Sequence, residues 1–445
     1  MSHRYATRGG VCLIVSISGV RGVLNADMNL IEIARFARNF SDNSGSKEIL
    51  MARDTRRTGP TISRAVAAAA MSRGHKVLDC GVISTPALFR ESRVSGRPAV
   101  MVTASHNEPE FNGLKFIKGG RGITKETFDA MTGPASGGPM EFGPGISGHA
   151  PRSSYVEDLV RRFGDRSLVG VRVAMDLGGG AAITHATSLF GKLGCEVETI
   201  NDVPSVFSRK IDPSTDELAT LRNLVTERDC DIGLGFDCDG DRLVIVDAEG
   251  RKKSGDFMLT FAISELLDET KEKKVAVSLD TTQAIDDVVG DRGGRVYRSK
   301  VGEANVVAVM DEVGARLGGE GSSGGLIDGQ FNYCRDSLLA AVVIARALRR
   351  EGRRAYEGVP TYYQERATLP ISRSKAQKAF RTMASGYTNA DLTDGIKVML
   401  SERSWILMRA SGTEDLIRVS AEAETAKVAH DNAKAFASKL VELSR

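Results

Sequence analysis

No apolar run in this 445-residue chain reaches the ~18 residues that a membrane-spanning helix requires, so no membrane partner is expected. The apolar stretch at residues 11–18, behind Arg4 and Arg8, lacks a small-x-small cleavage pattern. It runs straight into Gly19-Val20-Arg21-Gly22 and reads as a first strand rather than a leader. Charge of one sign is missing too. Sixty Lys+Arg stand against 57 Asp+Glu, a net of +3, which gives no general pull toward nucleic acid. The basic cluster Arg346, Arg349, Arg350, Arg353 and Arg354 suits the negative end of a helix dipole and reads as a solvated helix end. The six cysteines (12, 80, 195, 230, 238 and 334) show no CxxC spacing. That argues against a zinc or disulfide framework and fits reduced thiols of a cytoplasmic protein.

What is present is a soluble globular composition, 41% hydrophobic and 26% charged, on a chain too long for one ordinary core. Strand-like and helical segments alternate along its first third. Asn29 and Glu32 can cap a helix carrying Leu30, Ile33, Ala34, Ala37 and Phe40 at helical spacing. KEILMARD (47–54) and KVLDCG (76–81) read as strands around an Ala-rich helix that Pro60 opens and Gly74 closes. Such alternation predicts βαβ units around largely parallel sheets. The Gly/Pro/Ser-rich residues 133–151 read as a linker. The pattern restarts at VRVAMD (171–176) and again at VAVSLD (275–280). The last ~80 residues place strands GIKVML, WILMRAS and LIRVSAEA before one helix from Thr425 to Leu443, an α+β arrangement. The Gly178-Gly179-Gly180 turn has Ile183 where a dinucleotide fingerprint needs glycine, and reads as a plain tight turn.

Two stretches carry chemistry on residue types alone. In GLGFDCDGDRLVIVD (233–247), Asp237, Asp239 and Asp241 alternate along a loop between apolar strands. Three carboxylates so close repel one another unless a hard cation sits among them, the alternative being an acidic turn without metal. An EF-hand is excluded: its glycine position holds Arg242, its bidentate glutamate position holds Ala248, and the flanks are strands. Open coordination positions suit Mg²⁺ shared with a substrate phosphate. In LMRASGTEDLIRV (407–419), Arg409, Arg418, two hydroxyls and a Gly-containing turn match the needs of a phosphate dianion. A third stretch is MVTASHNEPEFNGLKF (101–116), where a short buried strand ends at Ser105 in what reads as an exposed loop. Asn112-Gly113 reads as a second tight turn. His106, as the sequence neighbour of Ser105, points elsewhere in an extended chain and is not read as that serine's base.

Taken in order, TASHN with NGLKF, DCDGDR, GGEGSSGG and RASGTEDLIRV give the chain a resemblance, over essentially its whole length, to the α-D-phosphohexomutases. That family comprises the phosphoglucosamine mutases, phosphomannomutases and phosphoglucomutases, and the GGE..GG form most resembles archaeal phosphoglucosamine and phosphomannose mutase relatives. The resemblance implies three similar α/β domains with mixed, largely parallel sheets plus a C-terminal α+β domain, heart-shaped around a central cleft. It implies units at 1–148, 149–250, 251–364 and 365–445, carrying in turn the phosphoserine, metal, sugar and phosphate loops. Ser105 then carries the phosphoryl group, and Asp237, Asp239 and Asp241 hold Mg²⁺ beside it, Ser105 included in the metal's shell. Arg21, Lys115 and Arg242 match active-site basic positions. His106 falls among the substrate-binding positions, Glu320 and Ser322 fall on the sugar loop, and Arg409, Ser411, Gly412, Thr413 and Arg418 fall on the phosphate loop.

The implied reaction interconverts hexose 6-phosphate and hexose 1-phosphate through a bisphosphate, with hexose 1,6-bisphosphate as activator and glucosamine phosphate as the leading substrate. Mannose or glucose phosphates are the alternative, and a metal-dependent sugar phosphatase or a non-catalytic sugar-phosphate binder are more distant ones. The expected partner is a small hexose phosphate, for a monomer or homo-oligomer in the cytoplasm. Four departures stand out. Glu108 replaces a proline common after TASHN, and Ala410 and Asp415 replace the prolines of RPSGTEP. The sugar loop is one residue longer than usual, which leaves Ser322 and Ser323 as alternatives.

Overall fold

Asn29 shows how directly some local signals act: its side chain accepts from Glu32 N at 2.9 Å and starts the helix Leu30–Asp42, which buries Ile33, Phe36, Ala37 and Phe40. The structure is a computed structural model that describes residues 3–6, 12–134, 141–410 and 416–444. Its strands form four sheets. In the first, Lys76–Val82, Glu48–Arg53 and Ala99–Val102 run parallel, and Phe111–Lys118 returns antiparallel beside Ala99–Val102. His3–Ala6, Cys12–Ser16 and Gly19–Val23 extend that edge.

The second and third sheets repeat the plan. Glu196–Ile200, Arg172–Asp176 and Ile232–Phe236 are parallel, and Leu243–Asp247 returns antiparallel. Arg295–Ser299, Lys274–Ser278 and Leu317–Glu320 are parallel, and Gly325–Asp328 returns antiparallel. The loops bearing Ser105, the three aspartates and Ser322 are therefore the same connection in three repeats, each leaving the carboxyl end of a parallel strand. Open α/β sheets bind ligands at that end. The fourth sheet is wholly antiparallel, ordered Tyr363–Leu369, Ile417–Ala423, Ser404–Ala410, Ile396–Ser401, with the helix Ala426–Leu443 against it.

One apolar core runs through the first three sheets, from Leu50 through Phe236 to Val277. At its centre lies the helix Ser337–Glu351, whose residues Leu338 to Ala345 are all 0% exposed. A helix apolar on every side has to be enclosed in this way. The C-terminal sheet keeps its own core around Val398, Ile406 and Val419. A small patch of Leu279, Trp405 and Leu407 joins it to the third sheet. Among the described residues no helix is long and apolar enough to cross a membrane.

One local expectation fails, and a second gains detail. Asn112-Gly113 is not a turn but lies inside the strand Phe111–Lys118. Glycine is needed there because a Cβ at 113 would lie 2.0 Å from Val20 O, a close approach of neighbouring backbones. Within the Gly/Pro-rich residues 133–151, Ile146–Gly148 forms a strand parallel to Lys76–Val82. The strand Tyr363–Leu369 and the helix Arg373–Ala384 are additions to the expected C-terminal elements.

Candidate active site

Ser105 follows the strand Ala99–Val102, and contrary to the exposed loop expected, it is 0% exposed. The reason lies beneath it. Arg56 is itself fully buried and its Nη2 donates to Ser105 O at 2.7 Å and Asn107 O at 2.6 Å. Its Nη1 donates to Phe111 O at 2.8 Å and to Glu108 O. Asp54 holds Arg56 through Nε at 3.1 Å and also accepts from Thr103 Oγ1 at 2.6 Å, while Thr103 Oγ1 accepts from Ser105 N at 2.8 Å. Ser105 adopts φ +53°, a left-handed conformation that costs a non-glycine residue roughly 1–2 kcal/mol and is kept only where the surroundings enforce it. Its hydroxyl donates to Asp237 Oδ2 at 3.2 Å.

Asp237, Asp239 and Asp241 are each 0% exposed, with ligand atoms all within 4.8 Å of one another. Each carboxylate has one oxygen pinned by the protein. Asp237 Oδ1 accepts from the backbone N of Asp241 and Arg242 at 3.1 and 3.2 Å. Asp239 Oδ2 accepts from Thr85 Oγ1 at 2.6 Å and Lys115 Nζ at 2.7 Å. Asp241 Oδ2 accepts from Lys115 Nζ at 2.7 Å and Arg335 Nη2 at 2.8 Å. What remains is Asp239 Oδ1 and Asp241 Oδ1, buried with no hydrogen-bond partner, and Asp237 Oδ2 facing Ser105. Three convergent carboxylate oxygens beside a hydroxyl, two of them buried without a hydrogen-bond partner, fit a hard divalent cation. Pinning the second oxygen is how a protein orients a ligating carboxylate.

The charges respond to one another. Burial, then Asp241 and Asp239, push Asp237 well above the ordinary carboxylate range. Burial alone would raise Asp241 as well, but Arg335, Lys115 and Arg242 overcome it and hold this group below its usual value. Lys115 is likewise penalised by burial and held above its ordinary value by Asp239 and Asp241. Arg21 is pushed down to about 10 by burial, with Arg242 and Arg335 adding repulsion against the pull of Asp239 and Asp241. Its Nη1 donates to Asn107 Oδ1 at 3.0 Å. Arg242 Nη1 donates to Asp212 Oδ2 at 2.7 Å. His106 is held well below its ordinary value by burial first, then by Arg242, Arg21 and Arg335, and its Nδ1 is buried without a partner.

Glu320 ends the strand Leu317–Glu320 and accepts from Gly302 N at 2.7 Å, and burial raises it against the pull of Arg335. Ser323 donates to Glu320 O at 3.2 Å and accepts from Arg335 at 3.1 Å, so its hydroxyl is spoken for within the loop. Asp280 nearby is a buried carboxylate that burial would raise but that Arg366 first, then Arg409, Ser278 and Ser322, hold below its usual value. Arg409 and Arg418 stand directly opposite each other on paired strands of the fourth sheet. Ser411, Gly412 and Thr413 lie outside the described residues. The structure thus gathers Ser105, Arg21, Lys115 and the three aspartates into one cluster, with Glu320 joined through Arg335. Arg409 acts on Asp280 and makes no hydrogen bond or ion pair to that cluster among the described residues. Sequence reading missed Asp54, Arg56, Thr85, Asp280 and Arg335, none of which stands in a motif.

Four family descriptions match the chain in order. The phosphoglucomutase/phosphomannomutase alpha/beta/alpha domains I, II and III match residues 14–132, 153–250 and 254–365, and the C-terminal domain of the same family matches 369–439. A probable phosphoglucosamine mutase of Methanopyrus kandleri is 32% identical over 433 residues, covering 93% of this chain and 94% of its own. A phosphoglucosamine mutase of Thermotoga petrophila is 30% identical, covering 91% and 93%. The crystal structure of a phosphoglucomutase/phosphomannomutase family protein from Burkholderia thailandensis superposes with a TM-score of 0.85 at 24% identity, covering 96% of this chain and 98% of that one.

Proposed function

The chain belongs to the phosphoglucomutase/phosphomannomutase family, and from that premise we propose an intramolecular phosphotransferase that interconverts hexose 6-phosphate and hexose 1-phosphate. The observation that carries the site assignment is the Ser105 hydroxyl beside three carboxylates, each with one oxygen pinned and one turned inward. In this reading Ser105 Oγ carries a phosphoryl group, and Asp237, Asp239 and Asp241, with Ser105, are the residues that would hold Mg²⁺. When bound, the ion would supply neutralisation of charge on the transferring phosphoryl oxygens.

The chain's own residues do the rest. Asp54, Arg56 and Thr103 fix Ser105 in a strained backbone, so little reorganisation is left for the reacting step. Lys115 and Arg21 bring positive charge to the same pocket, and Arg242 follows the last aspartate. The Ser105 Oγ–phosphorus bond breaks as a bond forms from phosphorus to the free hydroxyl of a bound hexose phosphate, whose proton is balanced by the one the departing Ser105 oxygen takes up. The bisphosphate so formed returns its other phosphoryl group to Ser105. Glu320 and Ser322 accept and donate hydrogen bonds to sugar hydroxyls, while Arg409 and Arg418, with residues 411–413, hold the phosphate that is not reacting. The four loops fall to units bounded at 148/149 and 250/251, with the last boundary moved from 364/365 to before Tyr363 because the strand Tyr363–Leu369 lies whole in the fourth sheet.

Glucosamine phosphate is the substrate this reading favours, because the relatives named above are phosphoglucosamine mutases. Hexose 1,6-bisphosphate serves as activator by rephosphorylating Ser105, and the described cysteines, all unpaired, suit a cytoplasmic setting. Side-by-side turnover of glucosamine, mannose and glucose 6-phosphates, with Mg²⁺ and a trace of bisphosphate, tests the proposal. Fastest conversion of the glucosamine compound supports it, and equal or faster conversion of the others reassigns the substrate. Release of inorganic phosphate without isomerisation removes the mutase reading.

A further inference from the structure

A single guanidinium joins two of the loops. Arg335 lies between the strand Gly325–Asp328 and Asp336, the residue that caps the helix Ser337–Glu351 by accepting from Leu339 N at 3.0 Å. Its backbone is fixed from several sides. Arg335 N donates to Glu303 Oε2 at 2.9 Å, Asp336 N donates to Leu326 O at 2.9 Å, and Ser337 Oγ donates to Gly240 O at 2.6 Å. The side chain then runs across Gly325, where a Cβ would lie 2.2 Å from Arg335 Cδ and 2.5 Å from Cγ. Glycine at 325 leaves the channel through which this arginine passes.

The head of the side chain spreads over both loops. Nη2 donates to Asp241 Oδ2 at 2.8 Å, on the carboxylate loop. Nη1 donates to Ser323 Oγ at 3.1 Å and lies 3.4 Å from Glu320 Oε2, on the sugar loop. Nε donates to Glu303 Oε2 at 3.2 Å. The guanidinium is planar and rigid, so a shift of Asp241 is passed to Glu320 and Ser323 rather than absorbed. Occupying Asp241 Oδ2 also leaves Oδ1 as that residue's free oxygen. A cation held by this carboxylate would compete for the charge that holds Arg335 and would leave more of the guanidinium's charge to Glu320.

We infer that Arg335 is a positioning residue that couples cation binding at Asp237, Asp239 and Asp241 to hexose binding at the Glu320 loop. The inference rests on the mutase reading above. Linkage makes the coupling reciprocal: whatever factor the hexose phosphate adds to cation affinity, the cation adds to hexose phosphate affinity. A purely structural arginine would alter stability, or both affinities, and leave that factor unchanged.

The test is titration calorimetry on dephosphorylated enzyme, which cannot turn over a monophosphate. Mg²⁺ is titrated with and without saturating glucosamine, mannose or glucose 6-phosphate, and each sugar is titrated with and without Mg²⁺. In the parent protein the best-bound sugar should tighten Mg²⁺ by about fivefold or more, and the reverse factor should match. Arg335→Met and Arg335→Lys should both reduce the factor to about one, since lysine keeps the charge but cannot span two loops. Gly325→Ala, which crowds the arginine's stem without touching its chemistry, should reduce it as well, and it carries the test with Arg335→Lys if the methionine variant does not fold. Both ligands binding the variants with the parental factor overturns the role of Arg335 and leaves the mutase reading standing. A parent protein that binds none of the sugars defeats both.

Discussion

Arg56 Nε lies 3.1 Å from Asp54 Oδ2, and neither side chain reaches solvent. This ion pair is the platform under Ser105, since the same guanidinium donates to the carbonyls of residues 105, 107, 108 and 111. Removing one member of a buried pair leaves the other charge unmatched, which costs about 3–5 kcal/mol. Arg56→Met should therefore lower the denaturant midpoint of the first unfolding transition by a corresponding amount and abolish turnover. A variant with parental stability would show that the pair does not support the loop.

Thr85 tests the pinned-oxygen account of the carboxylates. Its hydroxyl donates to Asp239 Oδ2 at 2.6 Å and so turns the other oxygen toward its neighbours. Partners of metal-ligating groups typically contribute 10–100-fold to affinity. Thr85→Val, which keeps the shape, should weaken Mg²⁺ binding by about tenfold in calorimetry, and Asp239→Asn should weaken it further. Unchanged binding in both would place the cation elsewhere.

Much of this was legible in the sequence, and what was not has a physical reason. The aspartate spacing, the Asn29 cap and the alternation of strands and helices are local signals, and local signals survive folding. Arg335 meets Asp241 across 94 residues and Thr85 meets Asp239 across 154, distances at which no spacing rule operates. Ser105 misled because small polar residues after a strand predict an exposed loop. Here the platform of Asp54 and Arg56 from below and the aspartate loop from the second sheet close over it. Asn112-Gly113 misled for a related reason, the glycine being required by a neighbouring strand rather than by a turn.

Lys397 gives a stability prediction with a definite sign. Its ammonium nitrogen donates to Leu279 O at 2.8 Å and sits 4.2 Å from the Trp405 ring centre, in the patch that joins the third and fourth sheets. Burial, then Arg298, push its pKa down to about 7 from an ordinary 10.5, with Glu422, Asp286 and Asp280 opposing. Between those two values the unfolded chain binds more protons than the folded one, so this residue makes stability rise with pH across that window. Lys397→Met should be more stable than the parent at pH 7, with the difference shrinking as pH approaches 10. Parallel calorimetric melting curves across that range check it, and a constant difference would contradict the burial argument.

Arg409 and Arg418 are register partners on adjacent strands, which puts two guanidiniums side by side on one face of the sheet, an arrangement suited to holding a phosphate. Arg409→Ala should raise KM for hexose phosphate roughly tenfold or more, since ~1.4 kcal/mol of lost binding is a factor of ten. Its turnover should also depend more steeply on added hexose 1,6-bisphosphate, because an intermediate lost from the site leaves dephosphorylated enzyme behind. Initial rates against bisphosphate concentration read both effects, and a phosphatase would show no such dependence.

The central claim is that the Ser105 oxygen carries the phosphoryl group, and labelling measures it directly. Enzyme incubated with Mg²⁺ and phosphorus-labelled hexose 1,6-bisphosphate should retain label on the peptide containing Ser105, and that label should chase into bisphosphate when glucosamine 6-phosphate is added. Ser105→Ala, with its fold verified by melting, should take up none. Label appearing only as inorganic phosphate, or persisting on the Ser105→Ala protein, would contradict the account.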